Sequence, residues 1–286
     1  MRAPLAVVGN AAIDLIDEQP PRVGGGPFHS GHGLRLLERP GLILAKCAPS
    51  DRKLVLSGLT PLGVPVTLVD ATTTAGFGLL YDGEVRQTVM RAVGDPWEPA
   101  DLEALGSIAW VHVAPLARTD FPAETLAALA RTRRVSYDGQ GLVRAARTGP
   151  VQLDDKFDPD VLQHLSFLKL AEEEAAVILD DVGEGALRSL GVAEVVVTLG
   201  SRGSIVCAEG RYEHVPCHPI LAVELTGCGD AFGVGYLAAR SDGLNPVAAA
   251  RRATALVALL LSERTRVGRE RAGGSAAGRG RRGQNT

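Results

Sequence analysis

Aromatic residues are scarce in this chain of 286 residues, at 4% of the total, and the formal net charge is only -3. A protein that grips nucleic acid needs a cationic surface, and for single strands stacking rings beside it, so the composition gives no support to that class. Cysteines are few, Cys47, Cys207, Cys217 and Cys228, and no C-x-x-C pair occurs among them. The N-terminus enters an apolar strand pattern without the charged and apolar regions of a secretory leader. Together these features lead us to expect a reducing, cytoplasmic setting. Long hydrophobic runs are missing as well. The most apolar stretch, Leu256 to Leu261, is far too short to span a bilayer, so no membrane partner is expected.

What is present fits a compact, turn-rich α/β protein: 45% hydrophobic residues and 34 glycines, with a length that suits one large domain or two small ones. Apolar runs rich in Val, Ile and Leu (5–9, 42–47, 65–70, 110–115, 134–138, 166–170, 194–199) alternate with helical patterns (99–105, 122–131, 172–179, 184–190). That alternation predicts a mostly parallel central sheet flanked by helices, a three-layer sandwich. Phe77 to Val85 breaks the rhythm and reads as a hairpin closing through Asp82-Gly83, placed to overhang a site. Ile205 to Val215 reads as a second hairpin, through Glu209-Gly210.

The most chemically loaded stretch is Thr226-Gly227-Cys228-Gly229-Asp230-Ala231-Phe232, at the start of a run of helix formers. Small residues leave successive backbone N–H groups bare where a helix dipole points its positive end, and such a nest favours an anion. A carboxylate inside a nest suited to phosphate needs a task, and accepting the proton of an attacking hydroxyl is one. The plainer alternative is a Gly-rich turn with Asp230 as an N-terminal helix charge.

This heptad resembles the D-T-T-G-A-G-D-A-F signature of the ribokinase-like (PfkB) carbohydrate kinases, and the remaining motifs follow in that family's order. The resemblance implies that Asp230 is the catalytic base and that Gly227, Cys228 and Gly229 form the anion hole. It implies that Asp14, in G-N-x-x-x-D after the first strand, holds substrate hydroxyls together with the Gly24-Gly25 loop and His29, the latter standing where the family has Asn. Gln140, after the strand that ends at Asp138, falls on the same edge of the sheet. Thr198, Gly200, Ser201 and Gly203, in T-L-G-x-x-G, match the nucleotide loop and with Thr226 imply ATP as cofactor. Glu174, in the family's N-x-x-E position, and Glu224, for the usual Asp, imply Mg2+ held mainly through water; Ala171 replaces the Asn. The expected activity is transfer of the γ-phosphoryl of ATP to a hydroxyl of a small polyhydroxy substrate: a sugar, an inositol-like polyol or a nucleoside. A ligand-binding or regulatory protein on the same fold is the alternative, motivated by the changes at His29, Ala171, Glu224 and Leu225. A zinc site at His29 and His32, or at His214, Cys217 and His218, lacks further ligands in the pattern.

Only Leu15 to Arg22 separates the first two motifs, so the lid common in the family is expected to be minimal or absent, and the protein a monomer or a dimer that does not use a lid. The kinase domain is expected over 1–262. Residues 263–286, rich in Arg, Gly, Ser and Ala without periodicity, are expected as a disordered tail.

Overall fold

The computed structural model describes residues 2–16, 19–82, 85–218 and 225–279. The strands in chain order are β1 (Leu5–Asn10), β2 (Ala12–Ile16), β3 (Arg22–Gly24), β4 (Gly41–Cys47), β5 (Val66–Asp70), β6 (Ala75–Asp82) and β7 (Val85–Ala92). They continue as β8 (Trp110–Val113), β9 (Arg134–Asp138), β10 (Gly149–Pro150), β11 (Phe167–Ala171), β12 (Glu194–Thr198), β13 (Ser204–Ala208) and β14 (Arg211–Val215). The helices are α1 (Gly26–Leu37), α2 (Arg52–Leu59), α3 (Ala123–Ala130), α4 (Gln140–Val143), α5 (Glu172–Ile178), α6 (Glu184–Ser189), α7 (Cys228–Ser241) and α8 (Pro246–Arg279).

Nine strands form the central sheet in the order β14-β13-β12-β11-β9-β8-β1-β4-β5. From β12 to β5 every neighbouring pair is parallel, and β13 and β14 close one edge antiparallel. Strands covered on both faces carry apolar side chains in both directions, which is why β1 reads Leu-Ala-Val-Val without alternation and is buried throughout. One face packs against α3, α5 and α6 through Leu126, Leu129, Ala175 and Leu187. The other packs against α1, α2, α7 and α8 through Leu34, Val55, Leu59, Val234 and Ala250. The three-layer architecture thus follows from the alternation of elements. Pro99–Leu105 is the exception among the expected helices, forming a 3-10 segment instead. The turn at Glu209-Gly210 has φ of 51° and 74° at its two residues, the left-handed pair that a two-residue hairpin requires.

The expectation of a minimal or absent lid is corrected by a second sheet of five strands, β10-β7-β6-β2-β3. Residues 15–22 supply little of it. The hairpin β6–β7, inserted after β5, pairs in parallel with β2 and supplies the two longest strands. The sheet is assembled from three separate segments, so its size cannot be judged from the spacing of two motifs. The reason for setting aside a lid-mediated dimer falls with it. The hairpin's Gly83 lies outside the described residues.

The boundary expected at residue 262 falls inside α8. Glu, Arg and Ala are good helix formers and no Pro interrupts them, so the helix carries on past Leu261. It is also tied down there: Glu263 pairs with Arg35 of α1, and Arg264 Nη1 donates to the Thr226 carbonyl at 2.7 Å.

Candidate active site

The site is built on the carboxyl ends of the parallel strands, where loops and helix N-termini converge. α7 begins there because Gly227 takes φ of +79°, which turns the chain out of the preceding loop at little strain. A side chain at 227 would in addition strike His29, with its Cβ 2.6 Å from Nδ1. Behind this N-terminus α7 lies tightly on the sheet: a Cβ on Gly233 would stand 2.6 Å from the ring of buried His112. Asp230 is therefore fixed by packing on one side and faces a cavity on the other.

That cavity has a volume of about 860 Å³. Of the residues expected from the sequence, Asp14, Gly25, His29, Gln140, Thr226, Gly227 and Asp230 line it together. Asp14 is not at the end of the first strand but on β2, in the lid sheet, opposite Arg22 and Phe77. Gly24 stands behind it, close enough that a Cβ would lie 2.1 Å from Asp14 Oδ2. Gln140 opens α4, its amide donating to Asp138 Oδ1 at 3.2 Å. His29 and His32 each make a T-shaped contact with Phe28, at centroid distances of 5.3 and 4.9 Å.

Asp230 Oδ1 is withdrawn from solvent and has no hydrogen-bond partner among the described residues. Burial, reinforced by the Asp138 charge, raises its carboxyl to about 7, while Lys169, Arg144 and its own amide pull the other way. A carboxylate tuned near neutrality is suited to general-base work. Of the three expected anion-hole amides, that of Cys228 is engaged with the Leu225 carbonyl at 3.1 Å. It becomes available only by releasing that bond.

Thr198, Gly200, Ser201 and Gly203 are not among the residues lining that cavity; they lie at the end of β12 and in the 3-10 turn that follows it. Thr198 ends β12 beside Ala171, its hydroxyl donating to the Leu170 carbonyl at 3.3 Å. Gly200, at φ +59°, has open space where a side chain would be. Gly203 is a glycine for another reason. At φ +96° its Cβ would lie 2.1 Å from the Val215 carbonyl, so the close approach of β14 demands it. The Ser201 carbonyl accepts from Cys217 Sγ at 3.1 Å.

Glu224 lies outside the described residues. Glu174 sits at the start of α5, its Oε2 accepting from the Ala171 amide at 2.7 Å and facing Lys169 Nζ at 3.7 Å. Burial raises its pKa, opposed by Lys169. With Oε2 taken by the Ala171 amide and facing Lys169, and with no Asn at 171, Glu174 is poorly placed to hold a divalent cation. Among the described residues no group of three or more His, Cys, Asp or Glu is placed to hold one.

Two cations are additions to the sequence reading. Lys169, on β11, is 4% exposed and meets both oxygens of Asp138, at 3.4 and 3.3 Å. Burial alone would lower its pKa, but the carboxylates of Asp138, Glu174 and Asp230 outweigh it and the net direction is up. A lysine inside the strand run Phe-Leu-Lys-Leu was the available signal, since unpaired lysines are almost never buried. The second is Arg144, which lines the cavity. Its Nη1 donates to the Leu116 carbonyl at 3.2 Å, its guanidinium lies 5.6 Å over the Phe77 ring, and its Nε is buried with no partner among the described residues. Arg35, Leu260, Glu263 and Arg264 complete the wall from α1 and α8.

A ribokinase-like sandwich with a lid sheet, a helix N-terminus and a carboxylate oxygen that faces the cavity without a partner among the described residues fits a small-molecule phosphotransferase. Residues 53–266 match the pfkB family of carbohydrate kinases, and the chain belongs to that family. It is 30% identical over 261 residues to a fructokinase from Klebsiella pneumoniae, covering 83% of this chain and 84% of the relative. An inositol 3-kinase from Zea mays is 32% identical over 182 residues, covering 62% of this chain and 45% of the relative. Among solved structures, a pyrophosphate-dependent kinase of the ribokinase family, complexed with a pyrophosphate analog and myo-inositol, superposes with a TM-score of 0.77. The identity is 22%, covering 90% of this chain and 95% of the other. The protein is accordingly a sugar or polyol kinase, a phosphotransferase with an alcohol group as acceptor.

Proposed function

We propose that the protein transfers the γ-phosphoryl group of ATP to a hydroxyl of a sugar or an inositol-like polyol. The single observation that carries this reading is Asp230 Oδ1, without a partner among the described residues and facing a cavity also lined by Asp14, His29 and Gln140. In this reading Asp14, the Gly24-Gly25 loop, His29 and Gln140 orient the acceptor's hydroxyls. Asp230 takes the proton of one of them, its oxygen bonds to the γ-phosphorus, and the bridging bond to the β-phosphate breaks, releasing ADP. The amides of Gly227 and Gly229, with that of Cys228 once released, receive charge on the transferring group. Thr198, Gly200, Ser201 and Thr226 face the donor, while Gly203 shapes their loop. Magnesium bound to ATP would supply positive charge to its phosphates, with no protein ligand assigned to it among the described residues. The setting is a cytoplasmic one.

The test is a donor and acceptor panel. ATP and pyrophosphate are each offered with hexoses, pentoses, inositols and nucleosides, using wild type and Asp230→Asn. ATP-dependent turnover of a sugar or polyol, lost in the variant, is the expected result. Turnover undiminished in the variant removes the base from the reading, and turnover only with pyrophosphate removes the donor.

A further inference from the structure

The buried charges beneath the anion hole form one cluster. Lys169 Nζ stands 3.3 Å from Asp138 Oδ2 and 3.7 Å from Glu174 Oε2, with its side chain only 5% exposed. Gly229 covers it closely: a Cβ at that position would come within 2.9 Å of Nζ and 4.0 Å of Asp138 Oδ2. Gly139 closes the cluster below, where a Cβ would stand 3.0 Å from Glu174 Oε2. An ammonium group thus lies directly under one of the backbone positions that would cradle a transferring phosphoryl group. The ammonium and a divalent cation compete for the same carboxylate, and here the ammonium is covalently attached and already in place.

Resting on the kinase reading above, we propose that Lys169 is the protein's own cation for phosphoryl transfer. Its ammonium holds Glu174 and Asp138 in place of a protein-bound metal ion and sets the Gly229 turn from below. Lys169 is a positioning residue that acts through the loop and the two carboxylates. The side chain at 171 agrees with this, since Ala offers no donor or acceptor to a hydrated metal ion. A cation beneath the cradle favours negative charge arriving above it, so its effect falls on turnover and not on the acceptor, whose contacts include Asp14 on the lid sheet.

Two measurements test this, one independent of activity. In the first, Mn2+ is titrated into the nucleotide-free protein and followed by electron paramagnetic resonance. Wild type and Glu174→Gln should bind Mn2+ alike, because Glu174 is already occupied by Lys169. Lys169→Met frees the two carboxylates and should tighten Mn2+ binding about tenfold or more, a gain that the double variant Lys169→Met/Glu174→Gln loses. Wild-type binding that depends on Glu174 would overturn the proposal. Because that comparison does not use Lys169→Met, it decides the matter even where that variant does not fold. In the second, kcat at saturating Mg·ATP should fall about 100-fold in Lys169→Met with acceptor KM changed less than about threefold, and Lys169→Arg should recover part of it. An unchanged kcat in Lys169→Met would overturn the proposal. A wild type without turnover on any acceptor would count against the kinase reading instead, leaving the Mn2+ comparison to decide the role of Lys169.

Discussion

Replacing Asp230 by Asn separates what the carboxylate does for chemistry from what it does to the fold. Burial, with Asp138 adding to it, raises this carboxyl from 3.8 to about 7. The unfolded chain ionises near the ordinary value, so between those two pH values the folded protein binds the extra proton. Stability therefore falls as pH rises from about 4 to about 7 and stays lowered above that. At about 1.36 kcal/mol per pH unit, the penalty at pH 8 reaches about 4 kcal/mol as an upper bound. Asn carries no charge and escapes it. Allowing for relaxation of the cluster, Asp230→Asn should be more stable than wild type by about 1–3 kcal/mol at pH 8 and by close to nothing at pH 4. Asp120, also raised to about 7 by burial, is present in both proteins and cancels in the comparison. Turnover should move oppositely, falling by about 100- to 10,000-fold with loss of the base. In wild type, kcat/KM should rise with pH through about 7, because only the ionised carboxylate accepts the proton. Urea unfolding at the two pH values, paired with steady-state kinetics, reads both effects. A variant no more stable at pH 8 than at pH 4 relative to wild type would refute the burial argument, and undiminished turnover would refute the assignment of the base.

Gly24→Ala places a Cβ against the Asp14 carboxylate, the mobile end of a side chain, so the fold should survive while the carboxylate swings away. Acceptor KM is expected to rise about 10- to 100-fold with Tm nearly unchanged; an unaltered KM would remove Asp14 from acceptor binding. Gly227→Ala meets both a left-handed backbone and the His29 ring, and should lose about 1–3 kcal/mol of stability in denaturant unfolding together with most of its kcat. Arg144→Met removes a cation that lowers the Asp230 pKa. The pH midpoint of kcat/KM should therefore move to higher pH, with kcat down about 10- to 100-fold, and a midpoint moving to lower pH would contradict the geometry.

The central sheet was legible because its signal is local. A buried parallel strand such as Val195 to Val197 is apolar in both directions, and a helix such as α5 announces itself by period and by the acidic first turn at Glu172 to Glu174. Asp230 and its flanking glycines were legible for a related reason, since a helix N-terminus, a bare backbone and a carboxylate are adjacent in the chain. Of the lid sheet, only the β6–β7 hairpin was. β2, β6 and β10 are brought together by pairings that span most of the first half of the chain, and nothing within any one of them records its partner.

Lys169 shows the same limit inside the site. Its place in a strand said that it must be paired, but its partners come from two other elements, Asp138 at the end of the adjacent strand and Glu174 at the start of the next helix. What joins them is the parallel register, which sets Lys169 beside Asp138, and the tight strand-to-helix turn that carries Glu174 back over the lysine. Asn-x-x-Glu and Ala-x-x-Glu therefore look alike as spacing and differ as chemistry. With Asn, a neutral amide stands next to the acid and leaves it open to a cation from outside. With Ala at 171 and a lysine two residues earlier, the acid already faces a cation of its own, and the consequence of the substitution depends on a residue outside the motif.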